Sequence, residues 1–212
     1  MGLPRIVYNP GGGSRNFNFT EELSGLSGPL RKRSATVNET RGGVVTVQFA
    51  FMREEFTALW EGVPRNDAFE EEHRIFRGHA GAGKTFAFAV DSADMVNTGV
   101  RVAASAGATR LLVDSSAGFV NGQKYIVESL AENGYAQQVL TLTGIDVASA
   151  PSIDFTGSAL AFAFAIGDRV RSRDYYPLCV IDQDEDPLSL NEGSSTFNYE
   201  LRVKTYYDLV TA

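Results

Sequence analysis

The chain has 212 residues, 43% of them hydrophobic and 21% charged, and carries a formal charge of −7 at pH 7. That apolar fraction can fill a packed core, and the acidic balance excludes a global basic field for drawing in nucleic acid. The single cysteine, Cys179, excludes an intrachain disulfide framework, and 21 glycines against 7 prolines suit many turns between short strands.

At the N-terminus, MGLPRIVYNPGGG lacks the long apolar run of a signal peptide, and no stretch of the sequence reaches transmembrane length. The expectation is a protein made in the cytoplasm and not inserted in a membrane. Ile6 stands where a myristoylation signal requires Ser or Thr. RIVYNP reads as a short entry strand, GGGS as a turn, and RNFNFT as an alternating strand with Phe17 and Phe19 on one face. LRKRSATVNETRG is polar with weak alternation. Its Arg31-Lys32-Arg33 run is a solvated edge, too short to announce a nucleic-acid site. GGVVTVQFAFM is the strongest strand of the set, with Val45, Val47, Phe49 and Phe51 alternating against Val44, Thr46, Gln48 and Ala50. In REEFTALWEG, Phe56, Leu59 and Trp60 lie at i, i+3 and i+4, which fits a short helix or a strand edge.

NDAFEEEHRIFR predicts a helix. Asp67 and Glu70 have capping-box spacing, and Phe69, His73 and Phe76 fall at i, i+4 and i+7. GHAGAGKT then matches the phosphate-loop pattern G-x-x-x-x-G-K-[ST] through Gly78, Gly83, Lys84 and Thr85. A phosphate loop needs a strand leading in and a helix leading out, so that free N–H groups and the positive helix end meet the phosphates. Here a helix leads in, and TFAFAVD, which alternates as a strand, leads out. A helix C-terminus repels phosphate, and the expectation is a helix-to-strand turn with Gly78 near the C-cap and Gly81 and Gly83 at positive φ.

From about Val100 small residues dominate. Strands are expected at Arg110–Val113, up to Glu128, and over YAQQVLTLTGID. VRV at the start of this stretch and RVR near its end are alike, so 100–172 reads as an insertion whose ends meet. DYYPLCVID and TFNYELRVKTYYDL return to the first style, with Tyr199, Leu201 and Val203 alternating, and are expected to complete the sheet begun by the early strands. VRV, RVR and LRVK carry Arg or Lys in the manner of guarded sheet edges.

Few residues point to chemistry. His73 and His79 are the only histidines, and without helpful cysteines they are expected on the helix surface rather than at a zinc site. Asp182, Asp184 and Asp186 begin like a calcium loop, but Pro187 occupies the tight-turn glycine position and Gly193 the bidentate glutamate position. No G-x-S-x-G elbow occurs. In each of the pairs Tyr175-Tyr176 and Tyr206-Tyr207 one ring must leave the core, which makes the four tyrosines interface candidates. No cofactor is expected.

NPGGGSRNFNFTEEL, VVTVQFAF, RGHAGAGKTFAFAVD and the closing STFNYELRVKTYYD resemble tail proteins of long-tailed bacteriophages, closest to the ring-forming minor tail or distal tail proteins. AGATRLLVDSSAGFVNGQKYIVES followed by QVLTLTGID is similar to small β modules that recur in phage tail and baseplate proteins. The resemblance covers most of the chain and rests on no catalytic motif. It implies a mainly β fold with one or two short helices (α+β). Residues 1–99 and 173–212 would form a β-sandwich or barrel-like core, and 100–172 an inserted β module. It further implies a non-enzymatic virion component, commonly a hexameric ring, whose partners are copies of itself and other tail proteins such as the tail tube or tip hub. A receptor- or carbohydrate-binding module and a phosphate-loop protein are the competing classes.

Overall fold

The structure is a computed structural model that describes residues 2–39, 45–64, 66–129, 136–146, 150–155, 157–182, 188–190 and 195–205, with the side chains of 29–39, 45–53 and 188–190 left out. It is mainly β, with 47% of residues in strands, about twice the average for globular proteins. One helix accompanies several antiparallel sheets among the described residues. The chain forms two compact units. Among the described residues, one comprises Leu3–Phe88 and residues 178–205, the other Gly2 and Ala89–Pro177.

In the first unit the strands are β1 (Arg5–Tyr8), β2 (Arg15–Asn18), β3 (Gly25–Glu39), β4 (Val45–Pro64) and β5 (Phe86–Ala89), with helix α1 (Asp67–Gly81) between β4 and β5. Strands β13 (Tyr175–Ile181), β14 (Leu188–Leu190) and β15 (Thr196–Thr205) complete the sheet, as the sequence led one to expect. Its order is β2-β1-β5-β13-β15-β4-β3, with β14 also on β15. Period-two burial builds one apolar face. Ile6 and Tyr8 of β1, Phe56, Ala58 and Trp60 of β4, and Phe197, Tyr199, Leu201 and Val203 of β15 are all buried. α1 lies over this face with Phe69, His73 and Phe76 inward. Trp60 stacks on Phe19 at 4.0 Å between centroids, and Tyr199 meets Trp60, Phe19 and His73 edge-on. Full burial of one such large side chain contributes about 1.5–3 kcal/mol, so this aromatic layer is the main stabilising feature of the unit.

Of the two readings of residues 53–62 the strand holds: Phe56, Ala58 and Trp60 are buried at i, i+2 and i+4, and the last spacing is shared with a helix. Several other local expectations change. The N-cap of α1 is Asn66, whose Oδ1 accepts from Phe69 N at 2.8 Å, and Asp67 is the first helical residue. His73 and His79 are buried, not on the surface. Strand β12 (Arg169–Ser172), which contains RVR, lies between two neighbours, and so does β15, which contains LRVK. Neither is an edge.

The second unit holds β6 (Asn97–Gly99), β7 (Arg110–Leu112), β8 (Lys124–Glu128), β9 (Gln137–Thr141), β10 (Gly144–Asp146), β11 (Ser152–Asp154) and β12. They make sheets of order β6-β12-β8-β9 and β10-β11-β7, around a core that includes Leu111, Tyr125, Val127, Leu140, Ile153, Phe155, Phe164 and Val170. The registers reveal an internal repeat. β12 on β6 pairs Arg169↔Gly99, Val170↔Thr98 and Arg171↔Asn97. β8 on β9 pairs Lys124↔Thr141, Tyr125↔Leu140 and Ile126↔Val139 in the same way. Loop bonds correspond as well: Gly167 N donates to Val100 O as Gly122 N does to Leu142 O, and Phe155 N to Thr109 O as Val113 N does to Pro151 O. Residues 97–127 and 139–172 therefore form two equivalent halves about a pseudo-twofold axis, crossed where Leu111 faces Ile153 and Ile126 faces Arg171.

Candidate functional site

Helix α1 runs through Gly78 to Gly81, Ala82 is its C-cap, and Gly83 alone of the three glycines takes a positive φ, +73°. The chain passes through Lys84 and Thr85, both exposed, into β5. Gly83 N is bonded to Ala80 O at 3.0 Å, and His79 Nε2 donates to Thr85 O at 2.9 Å. The glycine stretch thus lies at the helix's carbonyl end, its turn closed by bonds within the protein. Gly78 is inside the helix, not at its cap.

Of the acidic run, Asp184 and Asp186 lie outside the described residues. Asp182 forms an ion pair with Lys204, and its N–H donates to Arg202 O at 2.9 Å. No group of three or more His, Cys, Asp or Glu is placed to hold a metal ion among the described residues. Tyr206 and Tyr207 also lie outside them. Tyr176 is buried beneath the Arg171 guanidinium, 5.3 Å from its ring centre, and Tyr175 is half-buried. Tyr176 is therefore a core residue, not an interface one.

Two polar clusters escape a reading of spacing alone. Tyr8 on β1, Arg15 on β2 and Glu72 on α1 converge: the Tyr8 hydroxyl donates to Glu72 Oε1 at 2.5 Å, and Arg15 NH2 reaches Oε2 at 2.7 Å. Burial, reinforced by the bond to Glu72, holds the Tyr8 phenol well above its ordinary range, and Arg15 holds the Glu72 carboxyl below its own. In the other unit Glu128, fully buried, accepts from Arg169 Nε at 2.6 Å, Arg171 Nε at 3.2 Å and Gln137 Nε2 at 3.0 Å. Arg171 also donates to the carbonyls of Arg173 and Tyr175, so it braces the chain where β12 turns into β13. The alternation in RVR signalled strand, but not that its arginines point to a buried carboxylate. The signal was Glu128 itself, a charge at the end of the apolar run KYIVE.

The surface feature that stands out is the large sheet's pair of ends. β2 closes one and β3 the other, and neither outer edge has a strand partner among the described residues. At the β3 end the sheet continues as a two-stranded ribbon. β15 pairs with β4 as far as Lys204↔Glu55, while β3 and β4 stay paired through Lys32↔Arg53 and Val37↔Val47 to Glu39↔Val45. From Arg53 back to Val45, β3 is the only strand partner of β4 among the described residues. No protein-family model matches the chain, and no curated protein is significantly similar to it.

Proposed function

We propose that the chain is a structural subunit of a phage tail or tail tip that joins copies of itself edge to edge into a closed ring, the β2 end of one sheet meeting the β3 end of the next. The observation that supports this reading is the long sheet with two unlike edges, neither paired among the described residues, and a ribbon overhanging one of them. A sheet edge offers a row of backbone donors and acceptors that another strand can extend, and a two-stranded ribbon is marginal by itself. Head-to-tail joining of unlike edges is heterologous and closes into a ring when the rotation per subunit divides a full turn. The ring would act by shape and stacking, with other tail proteins as further partners. Native mass spectrometry of the purified full chain tests the reading: a discrete closed oligomer, such as a hexamer, is expected. A monomer at every concentration up to the millimolar range refutes it.

A further inference from the structure

The two ends of the large sheet differ in charge as well as in strand. Where β15 stops pairing and the ribbon begins, the outer strand β3 carries three consecutive cations, Arg31, Lys32 and Arg33. The register sets Leu30 opposite Glu55, Arg31 opposite Glu54, Lys32 opposite Arg53 and Arg33 opposite Met52. Four basic residues therefore stand against two acidic ones. One cross-strand pair, Lys32↔Arg53, is of like charge, which costs the ribbon stability while nothing acidic lies against it. The segment that continues β2 is acidic instead. Glu21 is half-buried and Glu22 exposed, and neither side chain has a hydrogen-bond or ionic partner among the described residues. This segment is held at both ends, by Phe19 N on Pro4 O at 3.2 Å and Ser24 N on Leu59 O at 2.8 Å. Phe19 also meets Phe69 in the first turn of α1, the helix that opens with the exposed Asp67. Within one chain the two charged runs stay apart. The acidic one joins the sheet at Leu59, and Glu54, opposite Arg31, lies five residues along β4, about 17 Å away. That is about twice the screening length at physiological salt.

We propose that the basic run Arg31–Arg33 of one copy seats on the acidic segment Glu21–Glu22 of the next, and that this charge match orients the joint. The proposal rests on the edge-to-edge reading above and adds what makes it head-to-tail. Two chains of charge −7 repel overall, so a joint between them has to be matched locally. Joining β3 to β3 would set cation against cation, and joining the two β2 ends would set acid against acid. Only the unlike ends attract, so the same charges that favour the ring disfavour a twofold pair through either edge.

Sedimentation velocity of the full chain tests this with two charge-reversed double variants, Glu21→Lys with Glu22→Lys and Arg31→Glu with Lys32→Glu. The first has two basic ends and the second two acidic ones. Each alone is expected to associate at least about tenfold more weakly than the wild type. An equimolar mixture is expected to recover the oligomer, and native mass spectrometry should find both variants in it. Recovery on mixing also shows that both variants fold. The milder double variant Glu21→Gln, Glu22→Gln should weaken association and lose less of it than the wild type does when salt is added. Where a reversed variant loses the wild-type dichroism spectrum, this milder variant decides. Overturning results are reversed variants that assemble alone as the wild type does, folded reversed variants whose mixture recovers nothing, or a Gln variant with the wild-type salt response. Each of these leaves the ring reading standing, whereas a wild type that stays monomeric at every concentration removes both.

Discussion

The Tyr8 hydroxyl and the Arg15 guanidinium share one carboxylate, Glu72, which ties the β1–β2 hairpin to the helix. Glu72 titrates below its ordinary value of 4.5 in the folded chain, chiefly because Arg15 donates to it. The stability this contributes is therefore present above about pH 4.5 and is lost as pH falls through the lower folded value. Arg15 is 44% exposed, so the contribution is that of a solvent-screened pair and is small. Glu72→Gln should lower the urea midpoint at pH 7 and shrink the acid-side loss of stability. Tyr8 is shifted upward from 10.0, first by burial and then by Glu72, so its contribution is complete below pH 10 and disappears as pH rises toward the folded value. Tyr8→Phe should flatten the alkaline limb of the same stability profile. At Glu128 the stakes are higher. Glu128→Gln would leave two buried guanidinium groups without their shared carboxylate, at a cost of about 3–5 kcal/mol, seen as a drop of many degrees in the melting temperature.

At the scale of elements, α1 was legible because Phe69, His73 and Phe76 repeat with helical spacing, and β15 because Phe197 to Val203 alternate. The helix start was misplaced by one residue because Asn and Asp are both good caps. Geometry chose Asn66, whose carboxamide oxygen reaches Phe69 N. Asn66→Ala should cost about 1 kcal/mol of unfolding free energy. Lys84→Ala should change neither stability nor the response to magnesium-ATP in a thermal-shift assay, since Lys84 follows a helix C-terminus. The β4 segment around Trp60 was ambiguous because burial at i and i+4 serves both periods, and only long-range pairing with β15 resolves it. A bulge between β3 and β4 near Ser27 and Leu30 depends on Gly28, at φ +106°, where a Cβ would lie 2.7 Å from Glu55 O. Gly28→Ala should therefore destabilise the chain by about 1–3 kcal/mol, measurable by chemical denaturation.

At the scale of the whole molecule, the mainly β composition and the return of the late strands to the first sheet were readable from alternation and from a change in style along the chain. The internal repeat was not. Its equivalent core positions hold different residues, Val113 against Phe155 and Tyr125 against Val170, because a packed interior constrains volume and shape rather than identity. The fragments GQKYIV and GDRVRS were the only trace. The guarded edges were misjudged for a related reason: an Arg in a strand signals an open edge only when no buried acid awaits it, and Glu128 lies far away in sequence.

The chain leaves the large sheet from β5 and re-enters it at β13, and these strands are neighbours. A short bridge can therefore span the gap that residues 90–174 now fill, and the sheet becomes a socket into which unrelated cargo can be spliced. Replacing that stretch with a short Gly-Ser bridge should leave a soluble remainder with the near-ultraviolet dichroism of the Trp60–Phe19–Tyr199 layer, and a loss of that signal would show that the socket needs its plug. Diversification of such a chain need not touch the strands that hold it together.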